Sequence, residues 1–307
     1  MTAPAAPWIP DASAIAAFRE NPEGFRLKYR LHLVPATPDD KMRAGSAIHA
    51  GLNVLRSAGN VEDAVRAART ERGDTEGARN AEHVERIVRA YAARYPREAE
   101  PFRVVETERY VEALVQPEGG APFGYCGIVD SVIEFADDAS YVMDTKSTGA
   151  YLNAQWTETM ALSDQMTGYV ALRRALGLRC DGYFVEGIHV TDRVGVKTGV
   201  APVDVLKDFV RVGPIRVEAW RVARWARDMQ YTLAQIEALE QERGIDAPWP
   251  LYQNWPYGKV DAYRDFYTTP PELHDATMQL FERRTWSPRA VAEGRNVVHT
   301  VSRTESA

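Results

Sequence analysis

The sequence predicts an α+β chain, a mixed β-sheet flanked by helices. Three observations carry that prediction. Segments rich in β-branched and aromatic residues cluster mid-chain (103–115, 123–135, 141–147 and 182–191), helix-period segments precede them, and a longer helical section follows. Residues 11–34 read as a helix and entry segment, and 43–58 as a helix whose Ile48, Leu52 and Leu55 share a face. Two further helices, 61–72 and 76–95, should turn Val65, Ile87, Val88 and Tyr91 inward, with Pro96 closing the section. In the hairpin region, 136–140 is a polar turn between strands. Residues 152–176 read as one long helix closed by Gly177, and 201–243 as helical with a break near Gly213-Pro214. The aromatic-rich 248–267 reads as loop, 271–285 as a final helix, and 291–307 as a mobile tail.

Composition fits a globular protein. Of 307 residues, 45% are hydrophobic and 26% charged, enough for one elaborated domain. Cys126 and Cys180 are the only cysteines, which suggests a reducing interior and excludes a disulfide framework; Cys126 reads as a buried thiol. The first residues lack the basic start and apolar run of a signal peptide, and no stretch is apolar enough for a membrane span. A cytoplasmic protein without membrane partners is the expectation. There is no Gly-x-Ser-x-Gly, no P-loop and no zinc Cys/His spacing, which removes the commonest hydrolase and nucleotide-binding alternatives.

The informative stretch is Gly127-Ile-Val-Asp130, then Val-Met-Asp144-Thr-Lys146, then Gln165-Met-Thr-Gly-Tyr169. Side chains alternate between the faces of a strand, so Asp144 and Lys146 project together. A hairpin centred near 137–138 places 130 or 132 opposite 144, and parity puts Asp130 on that same face. Two carboxylates this close repel one another, and a divalent cation removes the conflict. Such an ion lowers the pKa of a bound water and polarises a phosphoryl oxygen, while Lys146 offers a compact positive charge. Asp-x-Lys alone is more often a surface salt bridge. His49, beside the apolar stripe of its helix, is an imidazole ligand or a structural residue. Gln165 and Tyr169, one helical turn apart, can contact a nucleic-acid strand or cap a core.

Taken together and in this order, the motifs resemble the RecB-like branch of the PD-(D/E)xK nuclease superfamily, which includes CRISPR-associated and phage exonucleases. The resemblance runs from Gly45-x-x-x-His49 to Gln165-x-x-x-Tyr169 and covers residues 11 to about 290, weakly between motifs. It implies an α/β/α restriction-endonuclease-like core. It also implies that His49, Asp130, Asp144 and the Thr145 carbonyl hold Mg²⁺ or Mn²⁺, that Lys146 is catalytic, and that Gln165 and Tyr169 contact DNA near the scissile phosphate. Glu108 stands where relatives often carry a strand glutamate. The implied organisation is one nuclease domain over 1–290, with a helical insertion at about 59–96 and a helical part at about 201–285.

One departure matters. Many such relatives hold a four-iron cluster on four cysteines, and this chain has two. Asn21, Val260 and Tyr267 stand at ligand-like positions, so no iron–sulfur cluster is expected. Packing around Trp249, Trp255, Tyr257 and Tyr263 should take its place.

The net charge of −6 runs against the basic footprint of most DNA-binding proteins. Local basic lips can compensate, with Lys41 and Arg43, Arg173 and Arg174, and 211–227 as candidates for contacting DNA or serving as solvated faces. The expectation is a metal-dependent deoxyribonuclease, an exonuclease on linear single- or double-stranded DNA, with a helicase or recombination protein as possible partner. The alternative is an inactive DNA-end-binding or helicase-partner module of the same fold.

Overall fold

The computed structural model describes residues 8–37, 39–73, 79–191, 201–252, 261–284, 287–292 and 298–299. In chain order these form α1 (Ala12–Glu20), α2 (Pro22–Phe25), β1 (Leu33–Pro35), α3 (Asp40–Ala58), α4 (Val61–Arg72), α5 (Ala81–Arg94), β2 (Phe102–Val115), β3 (Phe123–Phe135) and β4 (Ser140–Thr148). Then come α6 (Ala154–Ala161), α7 (Asp164–Ala175), β5 (Gly182–His189), β6 (Phe209–Arg216), α8 (Ala219–Arg243), α9 (Arg264–Thr268), α10 (His274–Met278), β7 (Phe281–Arg284), α11 (Pro288–Ala292) and β8 (Val298–His299). They divide into a central unit (residues 38–111 and 128–222) and a second unit built from 1–37, 112–127 and 223–307.

The central sheet runs β2-β3-β4-β5-β6. It is mixed: β3–β4 and β5–β6 are antiparallel, whereas β4–β5 is parallel and needs the crossover through α6 and α7. With its helices this is the α+β, restriction-endonuclease-like architecture that the sequence predicts. The helices start on local signals. Asp39, Asn60, Asn80, Asn153 and Ser163 each accept a hydrogen bond from a backbone N–H of the following first turn. Ile48, Leu52, Val65, Ile87, Val88 and Tyr91 are all buried, packing α3–α5 together with Ile188 and Phe209 from the sheet.

Three sequence expectations need correction. The 152–176 helix is two helices, because Ser163 caps a new first turn at Met166 and breaks the chain there. Residues 209–216 are a strand at the edge of the sheet, not helix. Its pairing with β5 shifts register between Tyr183 and Val185, opposite Gly213 and Pro214, where a proline without an N–H is tolerated. Residues 271–285 are likewise not one helix: the short α10 gives way to β7, which pairs with β1 and β8.

In the second unit, Phe18, Phe25, Tyr29 and Trp249 form an aromatic cluster, and Tyr263 stacks on Phe281. Glu23 pairs with Arg26 and accepts from the Trp249 N–H. Asn21 Nδ2 donates to the Tyr267 hydroxyl at 3.0 Å. Trp255, Tyr257 and Val260 lie outside the described residues, as does the expected tail apart from α11 and β8.

Candidate active site

The β3–β4 register pairs Val132 with Val142 and Ser131 with Met143, so Asp130 comes level with Asp144. The ladder ends there. Asp130 Oδ2 instead accepts the Thr145 N–H at 2.9 Å, so a carboxylate replaces a backbone partner where the strands part. Asp144 is 2% exposed. Lys146 Nζ lies 2.7 Å from Asp144 Oδ2 as an ion pair, yet that buried oxygen accepts no well-directed hydrogen bond.

Helix α3 supplies the histidine. His49 Nδ1 lies 3.3 Å from Asp130 Oδ2. Gly45, one turn earlier, faces the strand closely: a Cβ there would stand 2.8 Å from Ser147 Oγ, which leaves room for a small side chain once that hydroxyl turns but for no large one. The helix therefore lies against the end of β4, and a small residue one turn before His49 has a steric cause. Helix α7 supplies the other side: Lys146 Nζ donates to Gln165 Oε1 at 2.7 Å, and Gln165 Nε2 donates to the Tyr169 hydroxyl at 2.9 Å. Tyr169 is buried, so its polar end serves Gln165.

The charges follow from this crowding. Burial pushes the Asp130 carboxyl up, but His49, Lys146 and the Thr145 N–H outweigh it and hold the group well below the usual range. Asp144 goes the other way: burial, with Asp130 beside it, exceeds the pull of Lys146. Burial opposes charge on Lys146 and His49, and in each the neighbouring carboxylates prevail and raise the pKa. Glu108 sits at a kink in β2, with φ of +45°, and partial desolvation followed by Asp130 raises its pKa. Arg43 is exposed in the first turn of α3, reaching the Arg72 carbonyl at 3.4 Å.

The sequence reading missed what lies behind these residues. Arg56, two turns after His49 on α3, is buried and donates to Thr145 Oγ1 at 2.7 Å and to Ser131 Oγ, Tyr91 and Glu186. Arg211 joins Glu186 to Glu100. The polar cluster thus backs the Asp144-Thr-Lys146 segment on the other face of the sheet. No motif signals it, since Arg56 and Glu186 are 130 residues apart. The same structure removes part of the proposed basic lips, while Lys41, Arg43, Arg216, Arg224 and Arg227 stay exposed. Arg173 is buried against Glu106, Arg174 is bonded to the Cys180 and Val217 carbonyls, and Arg211 is held as above.

A family model described as the PD-(D/E)XK nuclease superfamily matches residues 12–243. No curated protein matches the sequence. Among solved structures, one described as the crystal structure of SSO0001 is 13% identical, covers 62% of this chain and 74% of its own, and has a TM-score of 0.26. That likeness is too slight to carry an argument. The family match spans well over half of the 307 residues and every motif from Gly45 to Tyr169, and the chain belongs to the PD-(D/E)XK nuclease superfamily.

Proposed function

We propose that this protein is a divalent-metal-dependent deoxyribonuclease of the RecB-like kind, trimming linear DNA from an end in cytoplasmic recombination, repair or replication. The observation that carries the reading is Asp144: a buried carboxylate beside Asp130, with its own Oδ2 ion-paired with Lys146 at 2.7 Å but taking no well-directed hydrogen bond.

That oxygen and its neighbours fit a hard cation. Asp130, Asp144 and the Thr145 carbonyl offer oxygen donors, with His49 at their edge, and together they would hold Mg²⁺ or Mn²⁺. Among the described residues no three acidic, imidazole or thiol groups enclose an ion unaided. An open site of this kind suits Mg²⁺, which keeps several waters and takes one or two carboxylates. When bound, the ion supplies an activated water and polarises a phosphoryl oxygen.

The chain's own residues do the rest. Lys146 sets a fixed ammonium beside Asp144, where it offsets charge gathering on the phosphate. Gln165 holds that ammonium from the α7 side, and Tyr169 holds Gln165. Gln165 is the DNA-side contact of this reading, with the buried Tyr169 acting through it, and Arg43 at the start of α3 is a phosphate partner. Glu108 is a further oxygen donor near Asp130. No iron–sulfur cluster is invoked, because two of the ligand-like positions, Asn21 and Tyr267, are joined by a hydrogen bond. A helicase or recombination protein would bring so acidic a chain to its substrate.

The test uses end-labelled linear DNA, single- and double-stranded, beside a closed circle, with Mg²⁺, Mn²⁺ or EDTA. Metal-dependent loss of the linear forms alone, absent in Lys146→Ala, is the expected result. Cutting of the circle would make the enzyme an endonuclease. Binding without cleavage in either metal would leave the inactive end-binding module.

A further inference from the structure

Beyond Lys146 the parallel strands β4 and β5 continue for two more pairs, the second of which returns to the catalytic face. Lys146 is level with Gly187, and Thr148 with His189. Neighbours in a parallel ladder point to the same side, so His189 faces the catalytic side of the sheet, roughly 7 Å past Lys146 at ~3.3 Å per residue. The chain then leaves β4 through Gly149 and Ala150 to Tyr151. The Ala150 N–H donates to Thr148 Oγ1 at 3.0 Å, and the Asn153 N–H donates to the Tyr151 carbonyl at 3.0 Å, so the turn is tied at both ends. Tyr151 lies over His189, ring centroids 5.5 Å apart and planes 25° from parallel. Its own exposure is 68%.

A tyrosine this exposed is ordinarily mobile, and this one is braced. His189 Nδ1 lies 2.9 Å from Asp208 Oδ1, and the His189 N–H donates to the Asp208 carbonyl at 2.9 Å. The other Asp208 oxygen accepts the Asp204 N–H at 2.6 Å. One face of the Tyr151 ring is therefore partly covered by a fixed, offset imidazole, and most of the ring is offered to solvent. Gly187, level with Lys146 and two residues before His189, leaves room for Trp156 and Leu152: a Cβ there would stand 2.6 Å from the indole. The surface leading away from Lys146 is thus aromatic and apolar, the chemistry that receives a base.

We propose that Tyr151, stacked on His189, is a base-stacking platform for an unpaired nucleotide beside the scissile phosphate, which makes the substrate a single-stranded or frayed DNA end. This deepens the nuclease reading and rests on it for the position of the phosphate. A paired base keeps its faces inside the duplex stack, so a blunt duplex cannot use the platform without fraying. Stacking also tolerates any sequence, because every base has a π-face.

The test is binding of a mixed-sequence single-stranded oligonucleotide carrying 2-aminopurine, and of a blunt duplex of the same sequence, in Mg²⁺. Both proteins carry Lys146→Ala, so the DNA stays intact and wild-type cleavage remains a separate readout of the nuclease reading. Adding Tyr151→Ala should weaken single-strand binding about 5- to 100-fold and abolish the quenching of 2-aminopurine. Tyr151→Trp should restore both, and duplex binding should change less than about twofold. Tyr151 is exposed, so thermal melting should show the variants folded. Equal single-strand binding with and without Tyr151 would overturn the proposal, as would equal losses on single strand and duplex, or quenching that survives Tyr151→Ala.

Discussion

Lys146 is held from two sides, by the Asp144 carboxylate and by the Gln165 amide, so its ammonium is positioned before any substrate arrives. Removing it should cost cleavage about 10²- to 10⁴-fold while the fold persists, because the side chain is partly exposed and packs little. Lys146→Arg should not rescue, since a planar fork cannot occupy the place of a point charge. Gln165→Ala should lower kcat less, by about tenfold, with steady-state kinetics as the check. The carboxylate pair was legible in the sequence because strand parity is a local rule: a short turn and the numbers 130 and 144 suffice. Arg56 was not legible. Its partners come from β3, β4, α5 and β5, and alone it reads as another charged residue on a helix. Arg56→Met would leave Glu186 with Arg211 and Tyr91 alone, and breaking a buried pair costs on the order of 3 kcal/mol. Urea unfolding should show that loss, and Arg56→Met/Glu186→Met should recover part of it.

At the scale of elements, the site depends on α3 lying flush against the end of β4. Gly45→Ala should be nearly neutral, because the nearest obstacle is a serine hydroxyl that can rotate away. Gly45→Leu should push the helix off the strand, at about 1–3 kcal/mol and with a larger loss of activity than of stability. Activity and melting temperature measured on both variants decide this. The helix and strand boundaries that were legible carry local signals: Asn60 before α4, the polar turn before β4, Gly177 after α7. The missed strand β6 lacks a clean alternation, its register shifting at Gly213-Pro214, and that dipeptide reads equally well as a break in a helix. Helix α5 adds a pH dependence. Its His83 is fully buried, and desolvation, helped by Arg79 and Arg86 and opposed by the Ala201 carbonyl and Asp208, lowers its pKa to about 4. The unfolded chain takes up this proton near pH 6.5 and the folded chain only near 4, so stability is full above 6.5 and declines as pH falls between them. Urea midpoints at pH 7 and pH 5 should differ accordingly, and His83→Asn should remove that part of the slope.

For the whole molecule, charge sets the mode of DNA binding. The chain carries 37 Lys and Arg against 43 Asp and Glu, and several arginines that could have faced a phosphate backbone are tied to internal acids or carbonyls. Each phosphate neutralised by a protein cation releases counterions, and a protein making 6–10 such contacts loses about 10³–10⁵ in affinity between 50 and 200 mM salt. In the proposed site the cations assigned to that role are two, Arg43 and Lys146. One or two contacts give a loss of about tenfold or less over the same range. The measurement is DNA affinity of the Lys146→Arg variant against salt, read as a log–log slope. A shallow slope means that the bound metal and base stacking hold the substrate, and it predicts weak binding away from ends. A slope as steep as that of an ordinary DNA-binding protein would instead bring the exposed Lys41, Arg216, Arg224 and Arg227 onto phosphates as well.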